Sequence, residues 1–346
     1  MAQLCREIPH VAQRVVNVKK ALAVTKGLAV KNALVMAREQ VMTRVIAMSR
    51  RITSRKFGRL AVSSIMLLAA SVSFSALSDE AVPKQLNRLH EPFSALLSEH
   101  VKTIDNGAST QVDYHGFKQD RERLTQYLNS LAKVEKSTFD GWSKADQLAF
   151  LINAYNAYTV ELILTEFPDI DSIRDLGSFF SSPWKKEIAP LLGKTRPLDE
   201  IEHELIRGQN KTTEGYNEPR IHFAVNCASI GCPALREEAY VGARLDSQLD
   251  AQTKRFLADT SRNRMDGNTL KLSKIFDWYS EDFEKNTNRK SESWQGIKNV
   301  NTENLSQFLL LYKDALNLSS QQVSVLEQDN AELEFLDYDW ALNATQ

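Results

Sequence analysis

The chain has 346 residues, of which 42% are hydrophobic and 25% charged, with a formal net charge of −1 at pH 7. The charge is unevenly spread, because the first 60 residues hold 13 of the 43 basic residues and only 2 of the 44 acidic ones. The remainder therefore carries a net charge of about −12, which excludes the basic surface of a nucleic-acid-binding protein and disfavours anionic lipid.

The segment from Arg50 to Ser78 has the layout of a secretory signal. Basic residues come first, the apolar run LAVSSIMLLAASVSFSA follows, and small residues precede Asp79. This order of regions is typical of a signal peptide. We therefore predict three parts, which are an N-terminal extension at 1–47, a signal peptide or membrane anchor at 48–78, and one domain at 79–346.

Two explanations stay open for the extension. Either translation begins at Met48, which leaves a signal of ordinary length, or a cytoplasmic tail precedes an uncleaved anchor. Both predict a periplasmic or exported domain that meets the membrane only through its N-terminal apolar segment. The expected partner is an unknown small molecule or an envelope protein, without nucleic acid, cofactor or metal.

Helical periodicity dominates the rest of the chain. Apolar residues recur at helical spacing in six segments, which are 91–101, 115–134, 144–167, 245–259, 274–283 and 302–316. Strand patterns are short and few, at 111–115, 220–226 and 268–273. We predict an α+β fold, a mostly helical single domain around a buried central helix with a small β-sheet.

The central helix is predicted from QLAFLINAYNAYTVELIL, residues 147–164. It is apolar nearly all round, which is typical of a helix buried on every side. Asn153 and Asn156 fall on one stripe of small and polar side chains. Buried amides need hydrogen-bond partners, so these two either bind loop backbone or line a polar pocket as ligand-binding residues.

The segment RPLDEIEHELIRG, residues 196–208, is predicted to be a helix. Asp199 and Glu202 have the spacing of a capping box, and Gly208 suits the C-terminal stop. On an α-helical wheel Glu202 lies close to the inner face, whereas His203 points away from it.

The stretch RIHFAVNCASIGCP holds the remaining candidate residues. Apolar and polar residues alternate up to Asn226, which predicts a strand with His222 and Asn226 on its polar face as binding candidates. At about 3.3 Å per residue, a strand would separate His222 from Cys227 by on the order of 16 Å. That distance is too long for a catalytic Cys–His pair.

Cys227 and Cys232 are an even pair in a domain that we expect to be exported, which favours a disulfide. Pro233 suits the first position of a helix and would place Cys232 at its N-cap, where the helix dipole lowers the pKa of a thiol. A reactive thiol at Cys232 is therefore a second possible interpretation of the pair. Metal ligation is a third, although the pair lacks the spacing of a zinc knuckle.

Five blocks in order resemble the DUF547 family of uncharacterised domains. They are QLAFLINAYNAYTV, LDEIEHELIR, RIHFAVNCASIGCPAL, FDWYSEDF and FLDYDWALN, and the resemblance runs from about Tyr114 to Asn343. It implies a shared fold and a shared cleft, with no activity to transfer. It places these candidates within the signature blocks: Asn153, Asn156, Glu202, His222, Asn226, Cys227 and Cys232.

Two functions follow as hypotheses. In the first, the chain is an exported binding or structural domain with a polar cleft and a disulfide. In the second, it is a cysteine-dependent hydrolase or acyl transferase, with Cys232 as nucleophile and Glu202 or His203 as base. We favour the first, because an oxidising compartment disfavours a free thiol.

Overall fold

A computed structural model describes residues 78–178, 181–209, 215–284 and 304–345. They belong to one compact unit, Ser78–Gln346. The predicted extension at 1–47 and all but the last residue of the signal-like segment at 48–78 lie outside the described residues.

Helices make up most of the domain, as the α+β prediction requires. In chain order they are α1 Ser78–His100, α2 Tyr114–Gln119, α3 Arg121–Ala132, α4 Lys136–Asp140, α5 Lys144–Leu164, α6 Leu245–Leu257, α7 Ile275–Trp278, α8 Ser280–Glu284, α9 Leu305–Leu310 and α10 Ser320–Glu327. A π-helix spans Glu200–Ile206, and a 3₁₀ helix spans Pro219–Phe223.

The strands are short and form three small sheets. They are β1 Val101–Ile104, β2 Ser109–Val112, β3 Ala189–Leu191, β4 Lys194–Arg196, β5 Arg264–Asp266, β6 Thr269–Leu272 and β7 Glu332–Phe335. The pairs β1–β2, β3–β4 and β5–β6 are antiparallel. Strand β7 adds to β6 in parallel, with Leu333 opposite Leu270.

Helix α5 is the predicted central helix, and it is buried along nearly its whole length. Ser143 caps its first turn by accepting a hydrogen bond from the Asp146 N–H. The main hydrophobic core surrounds α5 and includes Phe150 and Ile163. A second core lies under β5–β7 and is rich in phenylalanine, with Phe276 at its centre.

The predicted strand at 220–226 is wrong, because the chain forms the 3₁₀ helix Pro219–Phe223 there. Pro219 fixes its own φ at a helical value at the first position, and the Glu218 side chain accepts from the Arg220 N–H. The helix lies between the two cores, with Ile221 in the first and Phe223 in the second. Apolar side chains of this turn are buried in two different cores. Their positions alternate with polar residues in the sequence, and this alternation resembles that of a strand.

The helix predicted to begin at Pro233 is also absent, since the described chain from there to Tyr240 is not helical. The carbonyls of this segment accept hydrogen bonds from side chains and not from the N–H groups of a following helical turn. Asn226 Nδ2 donates to the Pro233 carbonyl at 2.7 Å, and Gln252 Nε2 donates to the Ala234 carbonyl at 2.8 Å. Cys232 is therefore not a helix N-cap, and the dipole effect expected for its thiol does not apply.

The expected contact with a membrane is corrected by the structure. Within the described residues, no helix combines the length and the apolarity needed to cross a bilayer. The apolar segment to which we assigned that contact precedes Ser78 and lies outside those residues. No feature of the described part of the chain identifies a partner.

Residues 337–345 follow β7 as an extended segment, which we call the strap. Its carbonyls at Asp339 and Ala341 accept the N–H groups of Gly231 and Ile230, both at 2.8 Å. Further along, the Asn343 carbonyl accepts the Val112 N–H at 2.8 Å. The strap thus ties the loop between the two cysteines to the edge of β2.

Candidate functional site

A cavity of about 230 Å³ lies where the two hydrophobic cores meet. Tyr155 of α5 and Val225 come from the first core, whereas Ile275 comes from the second. The other lining residues are Trp184, Asp199, Glu202, His203, His222, Cys227, Cys232, Pro233, Trp278, Tyr279, Tyr338 and Trp340.

The π-helix supplies the acidic side of this cavity. Its N–H groups bond five residues back, as Arg207 N–H does to the Glu202 carbonyl at 2.9 Å. Such wide turns are rare in proteins. Where they do occur, they often lie at functional sites. The predicted capping box is wrong, because Asp199 makes no side-chain cap bond. Asp199, Glu202 and His203 all line the cavity instead, since the wider turn changes which residues share a face.

Glu202 is 5% exposed and lies beside two tyrosines from different elements. Burial raises the pKa of the Tyr155 and Tyr279 phenols far above the usual value, and the nearby Glu202 carboxylate raises it further. Burial also raises the pKa of neighbouring Asp199, and the Glu202 charge adds to that rise. Two carboxyl groups therefore lie close together on one wall.

His222 lies on the adjoining wall and is 2% exposed. Its Nε2 lies 2.8 Å from Asp282 Oδ2, and its ring stacks on Tyr279 with centroids 3.9 Å apart. Burial lowers the pKa of His222, although the bond to Asp282 opposes this. The neutral ring then carries its proton on Nε2, because a carboxylate can only accept. Among the described residues Nδ1 has no hydrogen-bond partner, so it is a buried acceptor with nothing to accept.

Arg207 connects the two histidines. Its Nε donates to Asp282 Oδ2 at 2.6 Å, and its Nη1 lies 2.9 Å from His203 Nδ1. Arginine has no acceptor, so the guanidinium is the donor in its contact with His203 Nδ1. Arg207 does not line the cavity. Its charge is opposed by Asp282, which leaves the lining with two carboxyl groups and no lysine or arginine.

Cys227 and Cys232 form a disulfide in the cavity wall, as their even number and expected export predicted. The Tyr338 hydroxyl lies 3.1 Å from Cys227 Sγ and 3.2 Å from Cys232 Sγ. Tyr338 comes from the strap, and its ring covers Gly231. A Cβ on Gly231 would lie 2.9 Å from the ring atoms, so glycine is required for this close approach.

Four aromatic rings surround the mouth of the cavity. Trp340 lies at the centre, with its ring centroid 4.5 Å from Tyr338, 5.6 Å from Trp278 and 5.8 Å from Trp184. Trp278 is 44% exposed, which is unusual for so large an apolar side chain. The rings provide an apolar entrance above a polar interior.

The structure brings together five of the residues singled out from the sequence. Glu202, His203, His222, Cys227 and Cys232 line the same cavity. The separation expected between His222 and Cys227 rested on an extended strand, and that strand is absent because the chain forms a 3₁₀ helix there.

The three asparagines are not among the lining residues, and they bind backbone. Asn153 and Asn156 of α5 each hold a distant loop by donating to one carbonyl and accepting one N–H. Asn226 donates to the Pro233 carbonyl and accepts the Ala228 N–H, which closes the base of the cysteine loop. Ala228 there has φ of 63°, a left-handed conformation that is uncommon outside glycine.

Several lining residues were missed from the sequence. Tyr279 and Trp278 belong to the block FDWYSEDF, and Tyr338 and Trp340 to FLDYDWALN. Both blocks carried the family resemblance, so a concentration of aromatic and acidic residues there was the available signal. Tyr155 carried no such signal, because it lies in an almost wholly apolar helix.

A second cluster of acids and histidine lies outside the cavity. Glu99, His100 and Asp120 have ligand atoms close enough to hold an ion, and they are the one such group in the described ranges. Arg123 already bonds both carboxylates, at 2.6 Å to Glu99 and 3.0 Å to Asp120. An arginine thus supplies the positive charge that a metal would bring.

Comparison with protein families gives a match to the middle of the chain. The family described as "Protein of unknown function, DUF547" matches residues 139–257, which include three of the five sequence blocks. The blocks that supply Tyr279 and Tyr338 lie beyond the match. No curated protein and no solved structure matches the chain.

Proposed function

We propose that this chain, which carries a DUF547 domain, binds a small organic ammonium ion in the cavity over Glu202. The observation that carries the proposal is the group of acceptor atoms that Glu202, Asp199 and His222 bring to one cavity. Glu202 and Asp199 contribute carboxyl oxygens, and His222 is neutral with a free Nδ1 lone pair. A ligand that satisfies these groups must bring hydrogen-bond donors.

Charge supports the same class of ligand. The lining contains two acidic residues and no lysine or arginine. A buried carboxylate is stabilised by a cation that replaces its lost hydration. An ammonium group offers positive charge and N–H donors together, whereas an alcohol offers only a weak donor.

The aromatic mouth suits the rest of such a ligand. Cations are attracted to the faces of tryptophan and tyrosine within about 6 Å, and Trp278 and Trp340 present large rings at the entrance. A volume of about 230 Å³ is below the range of about 300–1,000 Å³ usual for drug-sized ligands. The ligand is therefore a small amine with a short apolar chain.

Three probes separate charge from donor capacity. Butylamine carries both, tetramethylammonium carries charge without N–H groups, and 1-butanol has a similar chain without charge. Because small ligands gain at most about 1.5 kcal/mol per heavy atom, the titration extends into the millimolar range. Trp184, Trp278 and Trp340 line the cavity, so tryptophan fluorescence is a direct readout.

We expect saturable binding of butylamine, weaker binding of tetramethylammonium and none of 1-butanol. Glu202→Gln should weaken butylamine binding at least about tenfold, since hydrogen bonds to charged groups contribute about 1.5–3 kcal/mol. Glu281→Gln is the matched control, because Glu281 is exposed on α8. Equal binding of butylamine and 1-butanol, or an unchanged affinity in Glu202→Gln, would contradict the proposal.

We also propose that the domain is exported to an oxidising, periplasm-like compartment. The disulfide supports this, because disulfides persist mainly outside the reducing cytosol. Sequencing the N-terminus of the mature protein tests it, with a start between Ser75 and Asp79 expected from the signal-like segment. A protein that keeps residues 48–74 in the cytosolic fraction would refute export.

The hydrolase alternative has weaker support. It requires a free Cys232 thiol, whereas Cys232 is bonded to Cys227. It also drew on a helix N-terminus at Pro233 that the chain does not form. Glu202 and His203 do share a cavity with Cys232, so the reduced protein is the form in which acyl-ester hydrolysis should be assayed.

A further inference from the structure

The two sulfurs of the disulfide have different surroundings. Cys232 is 5% exposed, and its Sγ accepts the Cys227 N–H at 2.8 Å and the Tyr338 hydroxyl at 3.2 Å. Cys227 is more exposed and lies among hydroxyls, with Ser229 Oγ at 3.2 Å. Neither bonded sulfur carries a proton, so the N–H and hydroxyl groups are the donors in these contacts.

We propose that this disulfide is a reactive site that exchanges with small thiols, with Cys227 as the attacked sulfur and Cys232 as the leaving thiolate. Both cysteines line the cavity, so a thiolate that enters it reaches the bond directly. Exchange is faster when the leaving sulfur is a more stable thiolate. The Tyr338 hydroxyl is within reach of both sulfurs, whereas the Cys227 N–H, the closest donor at 2.8 Å, bonds only Cys232 Sγ and stabilises a thiolate there.

The reaction balances with two molecules of thiol as the reductant. A thiolate RS⁻ attacks Cys227 Sγ, which forms an RS–Cys227 bond, breaks the Cys227–Cys232 bond and leaves the electron pair on Cys232. A second thiolate attacks the sulfur of RS, which releases RSSR and leaves Cys227 as a thiolate. Solvent protons neutralise the two thiolates according to their pKa values.

The hydroxyl network can follow the moving charge. Ser229 Oγ lies 2.9 Å from the Tyr338 hydroxyl, which is within reach of both sulfurs. When the single Ser229 hydroxyl proton turns from Cys227 Sγ to the Tyr338 oxygen, the phenol proton is free to point toward either sulfur. Tyr338 therefore stabilises the thiolate on Cys232 without having to relocate.

Hydrogen bonds hold the loop in addition to the disulfide. Asn226 ties its base, and the strap carbonyls hold Ile230 and Gly231. Closing so short a loop contributes only about 2–3 kcal/mol in the chain-entropy picture. Reduction of the disulfide should therefore leave the domain folded. A disulfide that reacts in the native protein requires this, whereas a purely structural disulfide does not.

Partial reduction identifies the attacked sulfur. The native protein is treated with 2-mercaptoethanol, a small uncharged thiol, for short times, quenched with an alkylating reagent and mapped by peptide mass. We expect the mercaptoethanol adduct on Cys227 and the alkyl group on Cys232. An adduct on Cys232 would overturn the assignment. Reduction that occurs only as fast as global unfolding, measured in parallel by circular dichroism, would show a structural staple.

The role of the phenol is tested by Tyr338→Phe. Loss of a hydrogen bond to a developing thiolate should slow exchange with 2-mercaptoethanol about tenfold or more. Tyr279→Phe is the matched control, because Tyr279 lines the same cavity beside Glu202 and has no hydrogen bond to either sulfur. It should reduce butylamine binding and leave the exchange rate unchanged, so the two proposals fail separately.

Tyr338→Phe also alters the contact over Gly231, so a second variant keeps the test decisive. Ser229→Ala removes the hydroxyl next to Tyr338 without touching that ring and should slow exchange by a smaller factor. Exchange at the wild-type rate in both variants, with unchanged denaturation midpoints, would refute the assigned role of the hydroxyls.

Discussion

Single amide side chains on helix α5 hold the loops that surround the cavity. Asn153 is fully buried, and its Nδ2 donates to the Tyr240 carbonyl while its Oδ1 accepts the Tyr240 N–H, both at 2.8 Å. Asn156 does the same for the Ala224 carbonyl and the Asn226 N–H, at 2.9 and 2.8 Å. Each asparagine thus supplies one stretch of loop with the donor and the acceptor that a neighbouring strand would provide in a sheet.

Asn153→Leu should lower stability strongly. Leucine has a similar size but leaves the Tyr240 N–H and carbonyl unpaired in the core, at about 1–3 kcal/mol for each group. The midpoint of chemical denaturation measures the loss. Asn129→Leu, on the exposed face of α3, is the matched control and should change stability by less than about 0.5 kcal/mol. Equal midpoints for both variants would contradict this account of Asn153.

Among the elements, the contact between α1 and α3 depends on a neutral histidine. His90 of α1 is buried, with Nδ1 2.8 Å from the Tyr127 hydroxyl of α3. Burial lowers the pKa of His90 to about 3. An unfolded histidine takes up its proton near pH 6.5, so between pH 6.5 and 3 the unfolded state binds the extra proton.

Stability should therefore fall as the pH drops below about 6.5. The contribution of His90 is complete above that pH and is lost progressively toward pH 3. By linkage, we expect a loss of about 1 kcal/mol from His90 between pH 7 and 5.5, and His222, whose pKa burial also lowers, adds in the same direction. Urea denaturation at both pH values measures it.

His90→Gln should reduce this pH dependence, because glutamine does not titrate. His115→Gln, at an exposed position of α2, controls for the substitution itself. The explanation would be wrong if His90→Gln kept the full pH dependence of the wild-type protein.

The elements also show what the sequence could predict. Periodicity located helix α5 and strand β6, because the pattern of buried residues stays the same along each element. It failed at Pro219–Phe223, since neighbouring side chains there enter different cores. It also misjudged Glu202 and His203, because an α-helical wheel does not describe a π-helix.

At the scale of the whole molecule, the cavity is assembled from segments far apart in the chain. Its walls combine Tyr155 of the central helix, the π-helix, the cysteine loop and the strap. No local sequence pattern predicts contacts between such distant segments. The candidate residues could therefore be named from the sequence, but their common cavity could not be predicted. The strap is decisive, because it both covers the cavity with Tyr338 and Trp340 and binds the cysteine loop.

Weakening the strap should loosen that loop at a distance. Asn343 is 3% exposed, and its Oδ1 accepts the Tyr114 hydroxyl at 2.8 Å while its Nδ2 lies 3.4 Å from Asn226 Oδ1. Asn343→Ala removes both contacts. We expect faster amide hydrogen exchange at Ile230 and Gly231, whose N–H groups bond the strap.

Amides in the middle of α5 provide the internal reference for that measurement. They should exchange at the wild-type rate, because their hydrogen bonds lie within a helix buried on all sides. Uniform acceleration across the domain would indicate a general loss of stability rather than a local role for the strap.

The strap also bears on the order in which the protein folds. Contacts between residues far apart in sequence form late, because the entropy of closing a long loop must be overcome first. Trp340 reaches the wall that contains Tyr155 only after most of the intervening chain is ordered. In stopped-flow refolding, we therefore expect the helical signal of α5 to recover before the tryptophan signal at the cavity mouth, with ligand affinity returning in that later phase.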